Sequence, residues 1–94
     1  MTAKILIKRT VPEANSAELS VLLNKLRALT MVQPGYVSGE TLKRVDKTGE
    51  CLVISTWVST EHWREWANSH ERYVIQKEID QLLSEKTRYE IYTY

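Results

Sequence analysis

Few side chains in this 94-residue chain are suited to polar chemistry: two histidines, His62 and His70, and one cysteine, Cys51. The histidines stand eight residues apart, without the set of about four ligands that a zinc site draws on. They read as solvated surface residues, and no metal is expected. Cys51 falls inside a strand-like run and reads as a buried, inert thiol. Gly35, Gly39 and Gly49 form neither a dinucleotide fingerprint nor a phosphate loop.

Aromatic placement is more informative. Seven of the eight aromatics lie from Trp57 onward, and there is no phenylalanine. Trp63 and Trp66 stand one helical turn apart, a large apolar load for a short segment. Both belong to a core, or one of them lines an apolar pocket between helices and sheet. On the second reading Tyr73 and Gln76, from the helix that follows, add a hydroxyl and an amide. Aromatic walls with a few convergent polar groups suit a flat, partly apolar ligand.

Periodicity supplies the elements that must position these residues. Lys4 to Val11, with Ile5-Leu6-Ile7 at its centre, reads as a strand buried on both faces. Leu19, Leu22, Leu23, Leu26 and Leu29 then form one stripe of an amphipathic helix near residues 15–32, with Asn15 or Ser16 as cap, ending before Pro34-Gly35. Tyr36 to Val45 reads as a second strand, where Gly39 signals a bulge or a close approach. Asp46-Lys47-Thr48-Gly49 makes a hairpin loop, and Leu52 to Val58 a third strand. A helical region capped by Ser59 or Thr60 breaks near Asn68-Ser69 and resumes through Ile75, Ile79, Leu82 and Leu83. Thr87 to Tyr94 closes as a strand, with Tyr89 and Tyr92 on opposite faces. The order β-α-β-β-α-β predicts an α+β, ferredoxin-like fold: a four-stranded antiparallel sheet with its helices on one face. Strands one and three are nevertheless apolar on both faces, so a second copy is expected to cover the bare side and form a homodimer.

The run LVISTWVSTEHWREWANS, from Leu52 to Ser69, resembles the antibiotic biosynthesis monooxygenase domain: a strand ending in Trp, a helix with two aromatics three apart, then a small polar turn. PGYVSGE, from Pro34 to Glu40, is similar to the same family's entry into strand two. The resemblance spans nearly the whole chain as a single domain, residues 1–94. It implies a dimeric α+β barrel and, for some members, cofactor-free oxygenation of phenolic polyketides or quinols; others degrade haem. In the haem-degrading members it implies a ring-contacting Trp, an Asn on strand one and an iron-binding His on the later helix. Trp66 matches that Trp and Trp63 the family's core aromatic. The Asn falls at Lys8, and the His at Gln76. An ammonium is no iron ligand and an amide a poor one, so haem is not expected, and no other cofactor is. Cofactor-free oxygenation needs hydrogen-bond donors or a cation beside a phenolate in a dry pocket. The expected binding residues are therefore Trp66, Tyr73, Gln76, Lys8 and Arg72, with no catalytic residue assigned.

The resemblance points to a monooxygenase acting on a phenolic or quinol-type small molecule. A non-catalytic small-molecule-binding or stress-associated module is the alternative, and a barrel filled by its own side chains is a third. Composition narrows the partners. Thirteen basic residues against twelve acidic give a net charge of +1, which supplies no footprint for nucleic acid and no polybasic strip for a membrane surface. The opening MTAKILIKRTV lacks the apolar stretch of a signal peptide, and one cysteine fits a reducing compartment, so a cytoplasmic location is expected. A folded chain of 11.0 kDa is expected to expose roughly 5,600 Å².

Overall fold

Side-chain alternation in the first strand organises the molecule, whose computed structural model describes residues 2–94. In β1 (Ala3–Thr10), Ala3, Ile5, Ile7 and Arg9 are all buried, whereas Lys8 and Thr10 are exposed and Lys4 and Leu6 half-buried. Neighbouring strand residues point to opposite faces, so one face of β1 meets the helices and the other does not. The remaining elements are α1 (Ser16–Met31), β2 (Tyr36–Lys43), β3 (Glu50–Trp57), α2 (Thr60–Ala67), α3 (His70–Leu83) and β4 (Tyr89–Thr93). The strands form one antiparallel sheet in the order β2-β3-β1-β4. This is the expected α+β, ferredoxin-like order, with the second helical region in two pieces.

That division has a local cause. The Ser59 side chain accepts from the His62 amide at 3.2 Å, and Ser69 accepts in the same way from Arg72, so each serine satisfies an otherwise free amide and starts a helix. The expected cap of α1 is different. Asn15 makes no capping bond and instead donates to the Leu82 carbonyl at 3.0 Å, tying the start of α1 to the end of α3.

Two strands are shorter than expected. β2 ends at Lys43; the Arg44 amide still donates to the Glu50 carbonyl at 2.9 Å, and its side chain pairs with Asp46 and Glu50. β4 begins at Tyr89, because the Thr87 amide and hydroxyl both donate to Asp80. The irregularity in β2 falls between Tyr36 and Ser38, ahead of Gly39. The extra residue puts Tyr36 and Gly39 on the same face, where residues three apart would ordinarily oppose each other. A Cβ at Gly39 would lie 2.6 Å from the Tyr36 Oη, so this glycine makes room for the tyrosine.

The core lies between the sheet and the helices. Ala3, Ile5, Ile7, Trp57, Trp63 and Trp66 form one buried cluster, with Leu26 and Leu29 of α1 packed against it. Leu6, Leu52 and Ile54 occupy the opposite sheet face, where Leu6 stands across from Ile54 and no helix covers them. All three are half-buried within the protomer.

Candidate functional site

A cavity of about 250 Å³ opens between α1 and the helix-facing side of the sheet. Ile7, Val53 and Ser55 form its floor, and Leu23 and Leu26 of α1 form a wall. Trp63 and Trp66 enter from α2, Arg72 from α3, Arg9 from β1 and Tyr36 from β2. The two tryptophans lie three residues apart on α2, so both reach the same side.

Arg9 and Arg72 dominate the electrostatics. They are only 5% and 7% exposed. Burial pulls the pKa of each below the usual arginine value; Cys51 and then Asp80 favour the charged form of Arg9 while Arg72 opposes it, and Tyr89 and then Asp80 favour the charged form of Arg72. Arginine stays protonated in proteins all the same, so the cavity holds two buried cations, with Arg27 and Glu40 exposed on its wall. Arg72 is braced: its guanidinium carbon lies 5.1 Å from the Trp63 ring centroid and 5.6 Å from that of Tyr89, and Nη1 reaches the Ala67 carbonyl at 3.4 Å. Arg9 has no such support, since its Nε and Nη2 are buried without a hydrogen-bond partner. The Trp63 Nε1 is likewise buried and unpartnered.

The expected site residues divide. Trp66 and Arg72 line the cavity together. Trp63, expected only in the core, lines it as well. Lys8 lies on the uncovered face of the sheet, because it is one residue out of phase with Ile7 and Arg9. Tyr73 is 59% exposed and borders a separate recess on the outer side of α3. Gln76 is buried beside that recess, with its amide nitrogen bound to Asp80 at 2.9 Å and Thr87 at 2.6 Å. Gln76 is held by these bonds and is not among the residues that line the cavity. Arg9 and Tyr36 complete the site and were not anticipated. A signal for Arg9 was present: Lys4, Lys8 and Thr10 share one phase of β1, which marks that phase as outward and turns Arg9 inward.

Two other expectations need correction. His62 is not solvated: its ring is half-buried against Gly35, and Nδ1 lies 2.6 Å from the Ser59 hydroxyl. Cys51 is half-buried rather than buried. Among the described residues there is no cluster of three or more His, Cys, Asp or Glu placed to hold a metal.

The family model for antibiotic biosynthesis monooxygenase matches residues 2–78. The chain belongs to this family. Its fold recurs in solved structures of antibiotic biosynthesis monooxygenase type and beyond. A protein from Methanosarcina mazei Go1 superposes with a TM-score of 0.87 at 15% identity, over 98% of this chain and 91% of that one. A variant of SnoaB, a cofactor-independent oxygenase from Streptomyces nogalater, gives 0.85 at 19% identity over 99% and 92%. Rv0793 from Mycobacterium tuberculosis gives 0.85 at 15% over 100% and 95%. No curated protein matches the sequence. At such identities the likeness establishes the fold, and function rests on the cavity. Among the described residues no helix is long and apolar enough to cross a membrane.

Proposed function

We propose that this chain is a cofactor-independent monooxygenase that oxidises a phenolic or quinol-type aromatic with O₂. Family membership supports the reaction class, and one observation carries the reading: a tryptophan-walled cavity holds two desolvated guanidinium groups. A phenol placed there ionises more readily than in water, because a nearby cation stabilises its anion and low polarity strengthens that attraction. The phenolate gives one electron to O₂, and the two radicals combine at the ring carbon para to the oxygen. Loss of water from the resulting hydroperoxide leaves a quinone. One oxygen atom of O₂ enters the product and the other departs in water, with the substrate supplying all the electrons. Trp63 and Trp66 wall and desolvate the ring, Arg72 and Arg9 hold the anion, and the unpartnered Trp63 indole offers a further donor. Tyr73, Gln76 and Lys8 have no part in this reading, since they lie outside the cavity lining.

The working unit in this reading is a homodimer of single-domain chains. The protomer exposes 6450 Å², more than the roughly 5,600 Å² expected of a folded chain this size. The excess fits the bare sheet face that carries Leu6, Leu52 and Ile54, and a second sheet packed there would cover it.

Oxygen uptake with anthrone or a dihydroxynaphthalene, without added metal or flavin, tests the oxygenase. Turnover that disappears in Trp66→Ala and Arg72→Met supports it. Quenched tryptophan fluorescence without uptake would instead leave a binding module. One feature favours that second reading: among the described residues lining the cavity there is no histidine, and Glu40 is the one carboxylate.

A further inference from the structure

Arg9 is buried in a cavity wall, yet among the described residues it makes no ion pair. Among the described residues every ion pair involves Arg44 or Lys47, all at the β2–β3 turn. Asp80 is the carboxylate felt by Arg9, but it accepts hydrogen bonds from Gln76 and Thr87 and makes no ion pair with either buried arginine. A second cation, Arg72, lines the same cavity, and Arg27 stands exposed on its wall. Like charges confined to a low-polarity site repel, and each buried donor without a partner costs about 1–3 kcal/mol.

The two orphaned atoms of Arg9 are specific in their geometry. Nε and Nη2 lie on one edge of the guanidinium plane, and their N–H bonds run parallel. That edge matches the two oxygens of a carboxylate. The same pairing occurs elsewhere in this chain: Arg44 donates through Nε to Asp46 Oδ1 at 2.6 Å and through Nη2 to Asp46 Oδ2 at 3.2 Å. Arg9 presents the edge that Arg44 uses, but no carboxylate meets it. Both atoms are also shut off from water, so solvent does not satisfy them.

We propose that the cavity binds an aromatic carboxylic acid, whose carboxylate takes the Nε/Nη2 edge of Arg9 while its ring lies against Trp63 and Trp66. This names the ligand class for the site and rests on the reading of the cavity as the substrate site. Nε and Nη2 have almost no accessible surface in the unliganded chain, so binding on this reading requires the guanidinium to rotate its edge into the cavity, and the ligand charge then offsets the repulsion between Arg9 and Arg72. The phenolic oxygen of such a ligand is then left for Arg72 and the Trp63 indole. Neutral polycyclic phenols bind less tightly, because they leave Arg9 unpaired.

The test uses the intact chain with two probes of similar shape, 2-naphthoate and 2-naphthalenemethanol, followed by tryptophan fluorescence. The acid is expected to bind about tenfold tighter or more than the alcohol, the scale of a charge-assisted hydrogen bond. That preference should vanish in Arg9→Gln and Arg9→Met, each checked for native circular dichroism; the wild-type comparison stands even if a variant misfolds. Equal affinity for acid and alcohol overturns the carboxylate site and leaves the aromatic cavity standing. A preference that survives in both folded variants overturns the assignment to Arg9. If neither probe changes the fluorescence, both this inference and the cavity reading are overturned. Tight binding of a hydroxynaphthoate with no oxygen uptake supports the carboxylate site and rejects only the oxygenase.

Discussion

The guanidinium of Arg72 lies over the indole of Trp63, 5.1 Å from the ring centroid. This contact links the buried charge of the cavity to the aromatic cluster of the core. Trp63 in turn meets Trp57 and Tyr89 edge to face, with centroids 5.6 and 5.4 Å apart. An arginine that would be costly to bury alone is held here by two ring faces.

Arg72 should matter more for binding than for folding. Arg72→Met keeps much of the side-chain volume, removes a desolvated charge and relieves its repulsion with Arg9. The expected change in stability is within about 1 kcal/mol, since replacing a buried charge with an apolar group of similar size is often neutral or stabilising. Urea denaturation should show this, while probe binding falls about tenfold or more.

Trp63→Ala and Trp66→Ala should both destabilise the chain, by about 3–5 kcal/mol, because each side chain is only 3% exposed. Trp63→Ala should sit at the upper end, since it also removes the contacts with Trp57, Tyr89 and Arg72. Melting temperatures would order the two variants; a larger loss for Trp66→Ala would contradict the packing described.

Ile54→Asp tests the bare sheet face. Ile54 stands opposite Leu6 on the side away from the helices, so the protomer should keep its fold and lose its partner. Light scattering should give about twice the chain mass of 11.0 kDa for the wild type and one chain mass for the variant. A wild-type monomer at micromolar concentration would remove the dimer from the proposal.

Gly35→Ala should cost at least about 1–2 kcal/mol. Gly35 has a positive φ of 84°, which L-residues avoid, and an added Cβ would strike the His62 ring. The Gly35 carbonyl also accepts from the Val58 amide at 2.7 Å, so the strain cannot be relaxed without disturbing the end of β3. Thermal unfolding of this single variant is a sufficient check.

The order of elements was legible in the sequence because each switch of period has a local cause. Five leucines at helical spacing marked α1, and Ser59 and Ser69 marked the starts of α2 and α3 through hydrogen bonds made within three residues. Trp66 stands at the end of α2 and Arg72 in the first turn of α3, both marked locally in the sequence, and both line the cavity.

Lys4, Lys8 and Thr10 hint at which way β1 faces, but the tertiary structure decided it. Ile5-Leu6-Ile7 is apolar on both sides and hides the phase of the strand, and shifting that phase by one residue exchanges Lys8 for Arg9. Pairing with β3 and β4 fixed Ile5 and Ile7 toward the helices and carried Arg9 in with them. Tyr36 reached the cavity through a bulge that shifts its register, and Gln76 was drawn away from it by Asp80 and Thr87. Helix capping and helical stripes act over one turn of chain and can be read from neighbours. The face of a doubly apolar strand, and the partner chosen by a buried side chain, depend on residues far along the chain, as Ile5 pairs with both Ser55 and Ile91.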